Sequence, residues 1–147
     1  MKTLGTLFLA AALLAAGCKT TQTPAGSATG ALPLEGTRWT LVRLGETPVT
    51  PGGTERDAHL IFSPPEAKGR VVGSTGCNRL TGGFTQSGTD KLTFQPAAVT
   101  KMACMEGVET ETAFLQALQQ VDGYQLRDNQ LVLTRGGTSV ATLERRP

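Results

Sequence analysis

Most of the side chains in this sequence that could do chemistry lie between His59 and Glu111. The three cysteines are Cys18, Cys77 and Cys104, His59 is the single histidine, and Met102 and Met105 flank Cys104. Thiolate, thioether and imidazole are soft or borderline donors suited to Cu(I) or Zn, so Cys77, Cys104, Met102, Met105 and His59 make a conceivable donor set. No Cys-x-x-Cys or His-x-x-x-His spacing pins them together, however, and methionines beside a cysteine more often fill a core. A nucleophilic pair of Cys77 and His59 would need a free thiol, and nothing local marks Cys77 as activated. Ser74 sits in Gly73-Ser-Thr-Gly76, which is not the Gly-x-Ser-x-Gly elbow. A Ser-His-Asp triad would have to use His59, and nothing in the sequence places it beside Ser74. Glu106, Glu109 and Glu111 stand where a helix should begin and suit its dipole better than an acid/base pair. Walker and dinucleotide-binding fingerprints are absent. The expectation is a protein with no enzymatic activity, no cofactor and no metal.

The chain must next be divided into what folds and what addresses. It has 147 residues and a formal net charge of +2, the size of one ordinary domain with extra ends. No basic cluster interleaved with aromatics supports a nucleic-acid partner. After Met1-Lys-Thr, the stretch Leu4 to Ala16 is apolar and uncharged. It is shorter than the roughly 20 residues a spanning helix needs, and it reads as the apolar centre of a secretory signal. The run ends Leu14-Ala-Ala-Gly-Cys18. Small residues before a Cys resemble the bacterial lipobox, with Ala15 where an aliphatic residue is usual. That resemblance implies a signal peptide over residues 1–17 and acylation of Cys18, palmitate included, and each buried methylene adds roughly 0.8 kcal/mol to anchoring. Lys19 in place of Asp implies sorting to the outer membrane, facing the periplasm. Residues 18–33 are small, polar and punctuated by Pro and Gly. They form a tether with too little apolar surface to fold, of root-mean-square span roughly 20 Å.

Residues 34–147 carry the elements that position the reactive side chains. Strands are expected at Trp39–Leu44, His59–Ser63, Gly69–Gly73, Leu80–Gln86 and Lys91–Gln95, with Leu92 and Phe94 inward in the last by the period of two. Ala98 to Met102 reads as one more extended piece. Gly45–Asp57 reads as a loop. Val108 to Val121 is the one long periodic segment, with Val108, Phe114, Leu115, Leu118 and Val121 on one face, and Gly123 is placed to close it as a left-handed cap. Tyr124–Arg127 and Gln130–Thr134 flank an Asp128-Asn129 turn, and Gly136-Gly137 turns the chain into Thr138–Leu143. The fold class is mainly β (α+β): an antiparallel barrel-like sheet of about eight strands, closed or nearly closed, with one helix. Trp39 is expected in the core. Asn78, behind Gly76 and Cys77, can take positive φ or tie off turn backbone groups with its amide.

The order Trp39-Thr-Leu, Leu60-Ile-Phe, Val72-Gly-Ser-Thr-Gly-Cys-Asn78, Gly83-Phe84, Thr100-Lys-Met-Ala-Cys104, then Glu111-Thr-Ala-Phe-Leu-Gln-Ala-Leu118 and Leu131-Val-Leu133 resembles the META domain, the family of HslJ-type heat-shock lipoproteins. Its motif residues would be Gly76, Cys77, Asn78, Met102, Ala103 and Cys104. The resemblance implies an antiparallel barrel-like fold in bacterial secreted or envelope proteins linked to stress, drug tolerance or secretion, with no agreed enzymatic activity.

Export would place Cys77 and Cys104 in an oxidising compartment, where a pair becomes a disulfide; two reduced thiols are the alternative. The function expected is that of a membrane-anchored envelope lipoprotein with a stress- or envelope-related binding or stabilising role. Its partners would be the membrane, through the lipid, and an unidentified protein or small molecule, with the chain itself monomeric. Two other readings are a lipocalin-like carrier, with an apolar pocket lined by Trp39, Phe62 and Phe94, and a protease inhibitor using the Gly45–Asp57 loop.

Overall fold

The structure, a computed structural model, describes residues 33–64, 66 and 69–146. The signal, Cys18 and nearly all of the tether lie outside the described residues. Among the described residues, ten strands and one α-helix follow in order: β1 Arg38–Leu44, β2 Thr47–Pro48, β3 His59–Phe62, β4 Arg70–Ser74, β5 Arg79–Ser87, β6 Lys91–Phe94, β7 Ala98–Val99, α1 Val108–Gln120, β8 Gly123–Arg127, β9 Gln130–Arg135 and β10 Thr138–Arg145. Eight of them form one antiparallel path, β6-β5-β4-β3-β1-β10-β9-β8, while two-residue β2 and β7 attach to β1 and β5. The expected eight-strand count is the path, and β2 lies inside what reads as loop.

Alternation decides which side chains go in. Trp39, Leu41, Leu60, Phe62, Val71, Leu80, Leu92, Leu131, Leu133 and Leu143 are all at most 1% exposed, and they fill the concave side of the sheet. Trp39 is anchored there at its polar edge, its indole Nε1–H donating to Leu34 O at 2.9 Å. The rings of Phe62 and Phe84 lie nearly perpendicular at a centroid distance of 5.0 Å, an arrangement the ring quadrupoles favour. Irregularities at Val42 in β1 and Val140 in β10 shift the register between these paired strands and their neighbours. Such bulges bend a strand and help a sheet curl.

The sheet curls without closing. Its end strands β6 and β8 meet at a seam where Tyr124 N–H donates to Asp90 O at 2.8 Å and Gln86 Nε2–H donates to the Tyr124 hydroxyl, but no ladder joins them. Gly123 belongs to this seam rather than to a helix cap. It is the first residue of β8, and a Cβ there would lie 2.9 Å from both Asp90 O and Thr134 Oγ1. The helix ends instead on extended Val121, whose N–H reaches Leu118 O. Phe114, Ala117 and Leu118 are its buried face. Val108, expected on that face, is 51% exposed, because the helix start packs on the turn between β4 and β5 through Gly107 and Glu111 instead. Among the described residues no helix is long and apolar enough to cross a membrane.

Candidate functional site

The Gly-Cys-Asn corner joins β4 to β5, and backbone geometry makes it sharp. Gly76 has φ +98°, which glycine adopts without the Cβ penalty. Gly107 packs on it with φ +86°, and a Cβ there would lie 2.9 Å from Gly76 O. This close backbone approach brings the start of α1 onto the corner. Cys77 and Cys104 are joined by a disulfide, with Cα atoms 5.8 Å apart and 27 positions between them in sequence. Cys77 Sγ is therefore not a free nucleophile beside His59. Met102 and Met105 are 59% and fully exposed, so they do not fill the core as their type suggests. Among the described residues no group of three His, Cys, Asp or Glu side chains could hold a metal.

Asn78, only 4% exposed, is the hub of the corner. Its Nδ2–H donates to Glu111 Oε1 at 3.2 Å. Its Oδ1 accepts from Thr100 Oγ1–H at 2.9 Å and from Met102 N–H at 2.8 Å. One amide thus ties the corner to the helix and to the segment carrying Cys104. Of the two roles open to it in sequence, the structure uses the amide, since Asp128 is the one non-glycine with positive φ among the described residues. Thr75, fully buried, donates its hydroxyl to the other oxygen of Glu111 and accepts from Asn78 N–H at 2.9 Å. Glu111 is therefore an acceptor for two buried groups of the corner, not only a charge near a helix end. Sequence reasoning missed that role, because three acids near a helix start look alike until one is seen facing inward.

Grooves lie on both sides of the disulfide. One, of about 730 Å³, is lined by Val49, Pro51, Ala58, Cys104, Met105 and Thr110 among others. The second, of about 610 Å³, runs across the outer face of β3, β4 and β5 and includes His59, Ile61, Val72, Ser74, Arg79 and Met102. Cys77 and Met102 border both. The loop on the first groove is stiffened by Asp57, whose carboxylate accepts from the backbone N–H groups of Gly52, Gly53 and Thr54 at 2.8–3.1 Å. Burial would raise its pKa, but these donors more than offset that and hold it below the ordinary value.

His59 is the buried titratable group of the second groove. It is 7% exposed, and its Nδ1 lies 2.7 Å from Asp57 O. A carbonyl can only accept, so Nδ1 carries the proton and Nε2 the lone pair. Burial lowers its pKa despite that hydrogen bond, so the ring is neutral near pH 7. The structure does bring Ser74 beside it: the two are direct partners across β3 and β4. The serine is engaged elsewhere, however, donating to Arg56 O at 3.0 Å and accepting from Gly76 N–H at 3.2 Å.

The family model of the META domain matches residues 32–147. No curated protein matches the chain. Among solved structures, an NMR structure of a protein from Burkholderia xenovorans is similar at 28% identity and TM-score 0.61, covering 77% of this chain and 83% of that one. Another NMR structure is similar at 26% identity and TM-score 0.56, covering 74% of this chain and 88% of its own. With the Gly-Cys-Asn corner and the Met-Ala-Cys segment joined by a disulfide on this sheet, the chain belongs to the META domain family, a family of envelope- and stress-related proteins.

Proposed function

We propose that this protein is an HslJ-like, membrane-anchored lipoprotein of the bacterial envelope, held through Cys18 in the outer membrane and facing the periplasm, which acts by binding and not by catalysis. The observation that carries the binding role is the pair of grooves beside the disulfide, both bordered by exposed Met102 and the first also by exposed Met105. Flexible, polarisable methionine side chains at a surface suit adaptable contact with a partner. The disulfide itself supports an oxidising compartment. Residue 33 precedes β1, and a rise of about 3.3 Å per residue makes β1 about 23 Å long. The tether thus enters at the start of that strand, while its Leu41 already borders the first groove.

Among the described residues the carrier reading lacks a chamber behind Trp39, Phe62 and Phe94. Trp39 and Phe62 are fully buried among other side chains, and the gap between sheet and helix, lined by Phe94 and Leu115, is about 70 Å³, against the 300 Å³ or more of an ordinary ligand pocket.

Cell fractionation tests the anchor. The native chain should sediment with outer membranes, and the Cys18→Ala variant should be soluble or unprocessed. A native chain that is already soluble overturns it. A photocrosslinking residue at position 105 tests the binding end. It should capture a partner in cells while one at exposed position 127 does not, and equal capture at both overturns the assignment.

A further inference from the structure

The second groove has the features of a built site. Two rows of side chains cross the outer face of three strands. His59, Ser74 and Arg79 are register partners in one row, and Ile61, Val72 and Thr81 in the other. Ile61 and Val72 are half-buried and apolar, so they form a floor. His59 is more than nine-tenths buried, yet its Nε2 has no hydrogen-bond partner among the described residues. No buried side-chain nitrogen or oxygen is orphaned there, so Nε2 reaches solvent in the groove that His59 lines.

Charge at the rim is unbalanced. Glu55, the one acid in the lining, is taken by Arg38 at 2.6 Å. Arg56 and Arg79 are exposed and are used only through their backbones: Arg56 O accepts from Ser74, and Arg79 N–H donates to Thr100 Oγ1 at 3.0 Å. Their guanidinium groups have no partner among the described residues. The groove therefore offers two free cations, a neutral imidazole acceptor and an aliphatic floor. Strand spacing separates the His59 and Arg79 stations by about 10 Å at the backbone, less what the long arginine side chain spans. A point anion fills only one of these stations.

We propose that this groove binds the carboxyl end of a peptide. The terminal carboxylate lies between Arg79 and Arg56, an aliphatic side chain rests on Ile61 and Val72, and a backbone N–H donates to His59 Nε2. Arginine is suited to the anion because its planar fork meets both carboxylate oxygens. The proposal rests on the binding role above and names its ligand class; it does not depend on the lipid anchor.

The single histidine makes the test direct. The full chain, purified in detergent, is titrated with N-acetyl-Ala-Ala-Leu carrying a free carboxylate while the imidazole nitrogens of His59 are followed by NMR. A saturable Nε2 shift is expected, with the C-terminal amide of the same peptide binding at least about tenfold more weakly. Arg79→Gln, at an exposed position, should weaken the acid about tenfold and leave the amide unchanged, since a charge-assisted hydrogen bond is worth roughly that factor. Acid and amide acting alike overturn the proposal, as does acetate alone reproducing the shift. No shift up to roughly 10 mM peptide, the weak end of specific affinity, also overturns it. A failed titration beside an intact fractionation result removes this ligand class and leaves the envelope anchor standing.

Discussion

Two places on this molecule solve the same problem with different chemistry. At the Gly-Cys-Asn corner, a turn, a helix start and a returning segment converge outside any regular ladder. They are held by a disulfide and by the buried amide of Asn78, with Glu111 and Thr75 behind it. At the β6–β8 seam, two strand ends converge that lack a ladder of their own. They are held by the Tyr124–Asp90 backbone hydrogen bond, one side-chain hydrogen bond and the absence of a side chain at Gly123. The corner is cross-linked by groups that must be satisfied once buried. The seam is held mainly by proximity. Stability at the corner is therefore concentrated in a few side chains, and at the seam it is spread over the core beneath.

That contrast breaks first at the disulfide. Replacing Cys77 and Cys104 by Ala should lower unfolding free energy by about 3.5 kcal/mol, the chain-entropy value for a loop of this length, as read from denaturant midpoints. An effect under about 1 kcal/mol would mean that the hydrogen-bond network alone holds the corner. Asn78→Ala comes next, at about 2 kcal/mol, because it strands Met102 N–H and the Glu111 carboxylate. Asn78→Asp sharpens the point: a second carboxylate would face Glu111, so its destabilisation should ease on acidification through the carboxylate range, whereas that of the Ala variant should not. At the seam, Gly123→Ala should cost about 1–2 kcal/mol through crowding against Asp90 O and Thr134. Tyr124→Phe should cost about 0.5–1 kcal/mol. If the seam variants match the corner variants in thermal midpoint, the distinction fails.

The smallest expected effect is one of pH, and it belongs to the corner side. Burial holds the His59 pKa below its ordinary 6.5, so the folded state favours the neutral ring. That contribution is fully present above the unfolded value and is lost as pH falls through the folded one. Between about pH 7.5 and 5, the native chain should therefore lose more stability than a His59→Gln variant. Asp57 works in the same direction at lower pH. Its pKa is depressed below 3.8, so its loop loses support only as pH falls through that depressed value.

Much of the architecture was legible before folding was considered. Alternation at Trp39, Leu41, Leu92 and Leu131-Val-Leu133 marks strands with one inward face, because the period of two is a property of the extended chain itself. Gly136-Gly137, with both φ values positive, reads as a tight turn for the same local reason. The helix was legible to within a residue, and so was its face apart from one position, since Phe114, Leu118 and Val121 are buried and Leu115 packs against the core. Val108 fits the periodicity but stays exposed, and what covers a side chain depends on the partner layer, which periodicity does not describe. Gly123 was misread as a cap because positive φ and close backbone approach both call for glycine, and sequence does not say which.

The candidate site shows the same division. The residue types, the pair of cysteines within residues 34–147 and the Gly-Cys-Asn and Met-Ala-Cys elements are local, and they mark this chain as a META domain protein without coordinates. Glu111 accepting from Asn78 and Thr75, Ser74 lying beside His59, and Arg56 and Arg79 meeting over one groove involve residues 15 to 36 positions apart in the chain. Such meetings are set by strand register and by the path of the loops. Only the tertiary structure decided them, because a hydrogen bond or a charge acts on what is near in space, and sequence spacing specifies nearness only within a single element.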